Sequence, residues 1–165
     1  MKILLTSFTT WLDHHRSNAS DDLIEAILDR IPSDCHVLRQ LPVCFELAPK
    51  YTIEKIKELQ PDITICCGMA ETRQKLSLES NGKFQSNILR SRLNLDQLME
   101  STTITEISHD AGNFVCNYLY YQVLKHCAGT KRQCLFIHVP VLTELNQTMI
   151  VEDFLSILER VTKYE

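Results

Sequence analysis

The chain has 165 residues, a formal charge of −4 and 44% hydrophobic residues, the balance of one globular domain over residues 1–165 with a core that needs no staples. No basic patch with interleaved aromatics occurs, which argues against nucleic acid as a partner, and no apolar run approaches the length of a membrane span. Seven cysteines without a repeated Cys-x-x-Cys pair suit small buried hydrophobes in a reducing cytoplasm better than disulfides or structural zinc, so the expectation is a cytoplasmic protein with no metal.

The apolar stretch at Met1–Phe8 is too short for a signal peptide and no small-residue cleavage site follows, so Lys2–Ser7 reads as a first buried strand. Ser20–Ile31 reads as an amphipathic helix, with Ser20 as N-cap, Asp21 and Asp22 in the first turn, and Leu23, Ile24, Ile27, Leu28 and Ile31 on one face. Cys35–Arg39 and Val43–Leu47 read as short strands, and Thr52–Leu59 as a helix that stops before Pro61. Asp62–Cys67 is a continuous apolar strand ending at Gly68, and Lys75–Glu79 alternates as a further strand. Thr102–Ile107 is β-rich, Gly112–His126 helical, Cys134–Val139 a buried strand and Val151–Thr162 a closing helix. Buried strands interleaved with helices imply a largely parallel sheet covered on both faces. Such sheets carry their sites beyond the carboxyl ends of strands. Gly68, Glu79, the loop before Cys116 and His138 all fall at strand ends.

The stretch Ser108–Asn117 holds the chemistry. Cys116 follows a turn of Asp110, Ala111 and Gly112 and sits at the start of the expected helix, where free amides and the helix dipole lower a thiol pKa toward thiolate. His138 ends an apolar strand and suits proton exchange near neutrality. A thiol and an imidazole so placed make an activated nucleophile, and Glu79 is the carboxylate available to orient the imidazole. Each residue also has a plain alternative: a core cysteine, a structural histidine, a solvated glutamate. His109, within the nucleophile loop, is held in reserve. His14 and His15 lie in a polar loop, His36 in a short strand and His126 at a helix C-terminus, and these are weaker candidates. No Gly-x-Ser-x-Gly elbow and no glycine-rich phosphate loop occur.

Three blocks in this order resemble the pyroglutamyl peptidase I family, also called pyrrolidone carboxyl peptidases. Gly68-Met69-Ala70-Glu71-Thr72-Arg73, followed by Leu76-Ser77-Leu78-Glu79, is similar to the family's Gly-x-Ala-x-x-Arg block and its catalytic glutamate. Ser108–Asn117 resembles the nucleophile block and Phe136–Pro140 the histidine block. The resemblance implies an α/β fold, a three-layer α/β/α sandwich with a mostly parallel mixed sheet, and removal of an N-terminal pyroglutamyl residue without a cofactor. By position, Cys116 is the nucleophile, His138 the acid and base, and Glu79 the orienting carboxylate. Phe8, Trp11, Asn18 and Met69 are the substrate-binding candidates, a peptide or small amide the expected substrate, and a homo-oligomer an expected assembly. The family's first loop, Gly-Phe-x-Pro-Phe-Gly-Gly, is here Ser7-Phe8-Thr9-Thr10-Trp11-Leu12-Asp13. It keeps two aromatics but loses the proline and the glycines. Ser80 stands where arginine usually follows the glutamate, the segment from Glu79 to Cys116 is shorter than in the family, and Asn87, Arg90 and Arg92 are offered as replacement polar contacts. The alternatives are an amidase with altered acyl specificity and a non-catalytic binding homologue.

Overall fold

A computed structural model describes residues 1–163. The strands are β1 (Ile3–Phe8), β2 (Cys35–Leu41), β3 (Ile63–Met69), β4 (Leu76–Glu79), β5 (Asn81–Phe84), β6 (Asn87–Arg90), β7 (Thr105–Ser108) and β8 (Gln133–Val139). The helices are α1 (Ala19–Ile27), α2 (Leu47–Leu59), α3 (Leu95–Met99), α4 (Val115–Cys127) and α5 (Gln147–Thr162). Six strands form one mixed sheet in the order β2-β1-β3-β8-β4-β7, and β5 with β6 forms a separate hairpin. Every neighbouring pair in the large sheet is parallel except β4 with β8.

Successive side chains of a strand point to opposite faces, and that parity sorts the interior into two cores. Ile3, Leu5, Ile63, Ile65, Leu135, Ile137, Leu76 and Leu78 meet the apolar faces of α1, α3 and α5. Leu4, Cys66, Cys134 and Phe136 meet Leu119, Tyr120, Val123 and Leu124 of α4 and Ile56 of α2. The expected helix-covered, mostly parallel sheet is therefore present. His138, two residues beyond Phe136, takes the α4 face.

Several local expectations are corrected. Val43–Leu47 is not a strand: Pro42 ends β2, Cys44 donates its amide to the Pro42 carbonyl, and the chain turns into α2. That helix starts at Leu47, before the expected Thr52, because Pro49 lies in its first turn, where a missing amide costs nothing. Asn18 caps α1 in place of Ser20, its Oδ1 accepting from the Ser20 amide at 3.1 Å. The first residue of α4 is Val115, not Gly112, and α5 begins four residues ahead of Val151. The β5–β6 hairpin and α3 fill the stretch between Glu79 and Thr102, to which the sequence assigns no element.

Candidate active site

The cleft opens at the carboxyl ends of β3 and β8, over the N-terminus of α4. Gly112 adopts φ +77°, a left-handed conformation that glycine tolerates freely, and the Gly112 amide donates to Asp110 Oδ1 at 2.9 Å. The turn delivers Cys116 as the second residue of α4. No side chain caps this helix at Phe114, so its first amides face the site. Under the thiol lies Gly68: a Cβ built there would stand 3.1 Å from Cys116 Cβ and 2.8 Å from Phe136 Cζ.

Cys116 Sγ lies 3.5 Å from His138 Nε2, and His138 Nδ1 lies 2.7 Å from Glu79 Oε1. Glu79 is fully buried and His138 nearly so. Sheet polarity explains how the carboxylate arrives. Because β4 runs antiparallel to β8, Glu79 pairs with Phe136 and Ser77 with His138, which makes Glu79 and His138 diagonal neighbours on one face, within reach of long side chains. Glu79 closes β4, at a strand end as expected, but the antiparallel direction of β4 sets that end beneath the imidazole rather than beside the carboxyl end of β8.

Burial pushes the Glu79 carboxyl up, but hydrogen bonds from His138 and Ser108 and the charges of His138 and Arg73 outweigh this and hold it below the usual range. An ionised Glu79 only accepts, so Nδ1 carries the proton and Nε2 is free to accept one from the thiol. For Cys116 the outcome opposes the sequence expectation. Burial pushes its thiol up to about 11, the Glu79 charge adds to this, and the amides of Asn117 and Cys116 with the Arg73 charge recover only part. Burial therefore opposes ionisation of the thiol, while His138 Nε2 stands against its sulfur.

The cleft, about 970 Å³, is lined by Phe8, Trp11, Asn18, Met69, Phe114 and His138 among others, so all four substrate-binding candidates border it. Phe8 is buried while Trp11 is 47% exposed, its ring centroid 5.7 Å from that of Phe114. The polar atoms of Asn18 are engaged in capping α1 and in donating to the Thr9 carbonyl. Met69 Sδ accepts from the Ala19 amide at 3.4 Å. His109, the reserve histidine, borders the cleft but shares a 2.8 Å hydrogen bond with Ser80 through Nδ1. Asn87, Arg90 and Arg92 do not line the cleft; Arg92 instead donates to the Thr130 and Arg132 carbonyls.

Three contributors escaped the sequence reading. Arg73 donates to Glu79 Oε1 at 2.6 Å and to the Asp110 carbonyl at 2.9 Å, tying the carboxylate to the turn that precedes Cys116. Tyr120 donates to the Glu79 carbonyl at 2.9 Å. Asn117 exchanges hydrogen bonds with the Lys83 backbone in both directions, pinning the hairpin to α4 beside the thiol. Arg73 and Asn117 are the last residues of their two blocks in the sequence; Tyr120 carries no sequence signal of its own.

The family model described as pyroglutamyl peptidase matches residues 1–97 and 89–154. Pyrrolidone-carboxylate peptidase of Thermoanaerobacter sp. (strain X514) is 27% identical over 170 residues, covering 86% of this chain and 83% of its own. A variant of pyrrolidone carboxyl peptidase from Pyrococcus furiosus superposes with a TM-score of 0.84 at 24% identity, covering 99% of each chain. Pyroglutamyl peptidase I from Bacillus amyloliquefaciens gives 0.84 at 20% identity, over 99% of this chain and 95% of that one. These two likenesses speak for the fold. No helix among the described residues is long and apolar enough to cross a membrane.

Proposed function

The chain belongs to the pyroglutamyl peptidase family, a family of cysteine peptidases, and from that premise we propose that it removes an N-terminal pyroglutamyl residue from peptides through Cys116, His138 and Glu79. The observation that carries this reading is the unbroken contact chain from Cys116 Sγ through the imidazole to Glu79 Oε1 on the wall of a largely apolar cleft.

The thiol proton passes to His138 Nε2 as Sγ attacks the carbonyl carbon beside the lactam ring. Glu79 holds the Nδ1 proton and stabilises the imidazolium, a role that leaves the carboxylate itself ionised. The oxyanion faces the Cys116 amide at the positive end of α4. Collapse breaks the carbon–nitrogen bond, and Nε2 returns its proton to the leaving amine. Water, losing its proton to Nε2, then attacks the thioester; pyroglutamate leaves and Sγ recovers the proton. A raised thiol pKa suits this order, since proton transfer accompanies attack.

Release of a fluorescent amine from a pyroglutamyl amide tests the reading: the parent protein turns it over, and Cys116→Ala does not. Absence of turnover by the parent would refute it. One observation favours the altered acyl group as a second reading: Trp11 leans on Phe114 over the cleft, in a first loop without the family's proline and glycines. Trp11→Ala separates the two. If the lactam stacks here, the variant keeps its fold and loses at least about tenfold in kcat/KM, by the usual effect of lost apolar contact. Unchanged turnover places recognition elsewhere.

A further inference from the structure

At the rim of the cleft, the turn closed by the His15 amide on the Leu12 carbonyl at 3.0 Å brings two consecutive histidines against Glu71, from the segment after β3. His14 Nε2 lies 2.8 Å from Glu71 Oε1 and His15 Nε2 lies 3.3 Å from Glu71 Oε2. The imidazole centroids are 4.2 Å apart. A ligand atom of each residue lies within 4.8 Å of the others.

His15 is the telling member. Its side chain is 6% exposed, yet neither ring nitrogen completes a hydrogen bond among the described residues. The Glu71 oxygen is at ion-pair distance without hydrogen-bonding alignment. A buried imidazole with both nitrogens unmet is costly, and an ion-pair role alone does not satisfy it. Two imidazoles and a carboxylate are the donor set of a three-ligand zinc site, which keeps a fourth position for water. The same set suits the other late first-row divalent ions. His14 and Glu71 are exposed and need only side-chain rotation to reach metal bonds of about 2.0–2.2 Å.

We propose that His14, His15 and Glu71 form a binding site for a divalent transition-metal cation, zinc first, which fastens the β1–α1 loop to the segment after β3. The inference stands apart from the peptidase reading. It also departs from the sequence expectation of no metal, because that rested on ligand spacing within one stretch of chain, whereas Glu71 arrives from 56 residues beyond His15.

The chain contains a single tryptophan, Trp11, and its ring centroid lies 6.4 Å from that of His15. Cobalt(II) bound at the site therefore quenches its emission, while zinc does not. Titration of the reduced protein with cobalt(II) should give saturable quenching at one equivalent, and added zinc should restore the emission. His14→Ala and Glu71→Gln, both at exposed positions, should each weaken cobalt binding at least tenfold, and Cys116→Ala should leave it unchanged. Absent saturable quenching, full affinity in either rim variant, or loss of quenching in Cys116→Ala would overturn the proposal; the last result would place the ion on the thiol and His138.

Discussion

Replacing Gly68 with alanine probes the site from below without touching any reacting group. The added Cβ would stand 2.8 Å from Phe136 Cζ and 3.1 Å from Cys116 Cβ, the first of them inside the range that real contacts avoid. Phe136 has no free volume to retreat into: it is fully buried, with its ring centroid 5.6 Å from that of Tyr120 and 4.7 Å from that of His138. Relief must come from displacing α4 or from pushing the Phe136 ring toward the imidazole. Overpacking of this kind costs about 1–3 kcal/mol, which for a chain of this size lowers Tm by roughly 3–10 °C. A displacement approaching 1 Å between thiol and imidazole costs up to about a hundredfold in rate, so kcat for a pyroglutamyl amide should fall about ten- to a hundredfold with a smaller change in KM. Alkylation of Cys116 by iodoacetamide should slow in parallel, a readout that needs no substrate. A variant with parental Tm, turnover and alkylation rate would refute the view that Gly68 is kept bare to seat the nucleophile.

Brief iodoacetamide treatment of the native protein, read by mass spectrometry, should label Cys116 ahead of Cys35, Cys44, Cys66, Cys67, Cys127 and Cys134, because His138 contacts its sulfur. Since burial raises its thiol, the rate should climb from about pH 7 to pH 9, and a plateau reached in acid would mean a thiolate at rest. Glu79→Gln removes the charge that stabilises imidazolium and should lower kcat about 10²- to 10⁴-fold, by analogy with triad carboxylates; a loss below tenfold would show that Arg73 and packing suffice to hold His138. Burial raises the carboxyl of Asp21, but hydrogen bonds from Arg39, Ser7 and Gln40 and the Arg39 charge outweigh it and hold the group below its ordinary value. Its contribution is therefore present above the unfolded pKa and lost as pH falls through the folded one. Asp21→Asn should melt lower than the parent at pH 7, with the gap closing in acid; a gap that persists in acid would refute this sign.

Much of the site was legible because its signals are local. A cysteine at a helix start and a histidine at the end of an apolar strand are recognisable from a few neighbours each. The hairpin was not, because its tight turn places Gln85 at φ 54°, where glycine or asparagine would have announced it. The α3 helix spans five residues, too few for a 3.6-residue period to register. Val43–Leu47 has the apolar content of a strand, but Pro42 favours a turn before it and Pro49 suits the first turn of a helix after it.

Strand parity was already written in the chain: with a side-chain period of two, an apolar run that buries Leu135 and Ile137 against one helix layer must send Phe136 and His138 to the other. That rule needs no knowledge of which strand lies alongside. The direction of β4 does need it, and only the antiparallel pairing with β8 puts Glu79 beneath His138. The environment of the thiol depends on tertiary structure for the same kind of reason. A helix N-terminus is a property of neighbours in sequence, whereas the exclusion of water that lifts Cys116 comes from β3, β8 and the cleft wall closing around it. The meeting of His14 and His15 with Glu71 is likewise set by two loops at one sheet edge, and through-space distance, unlike periodicity, leaves no trace in the order of residues.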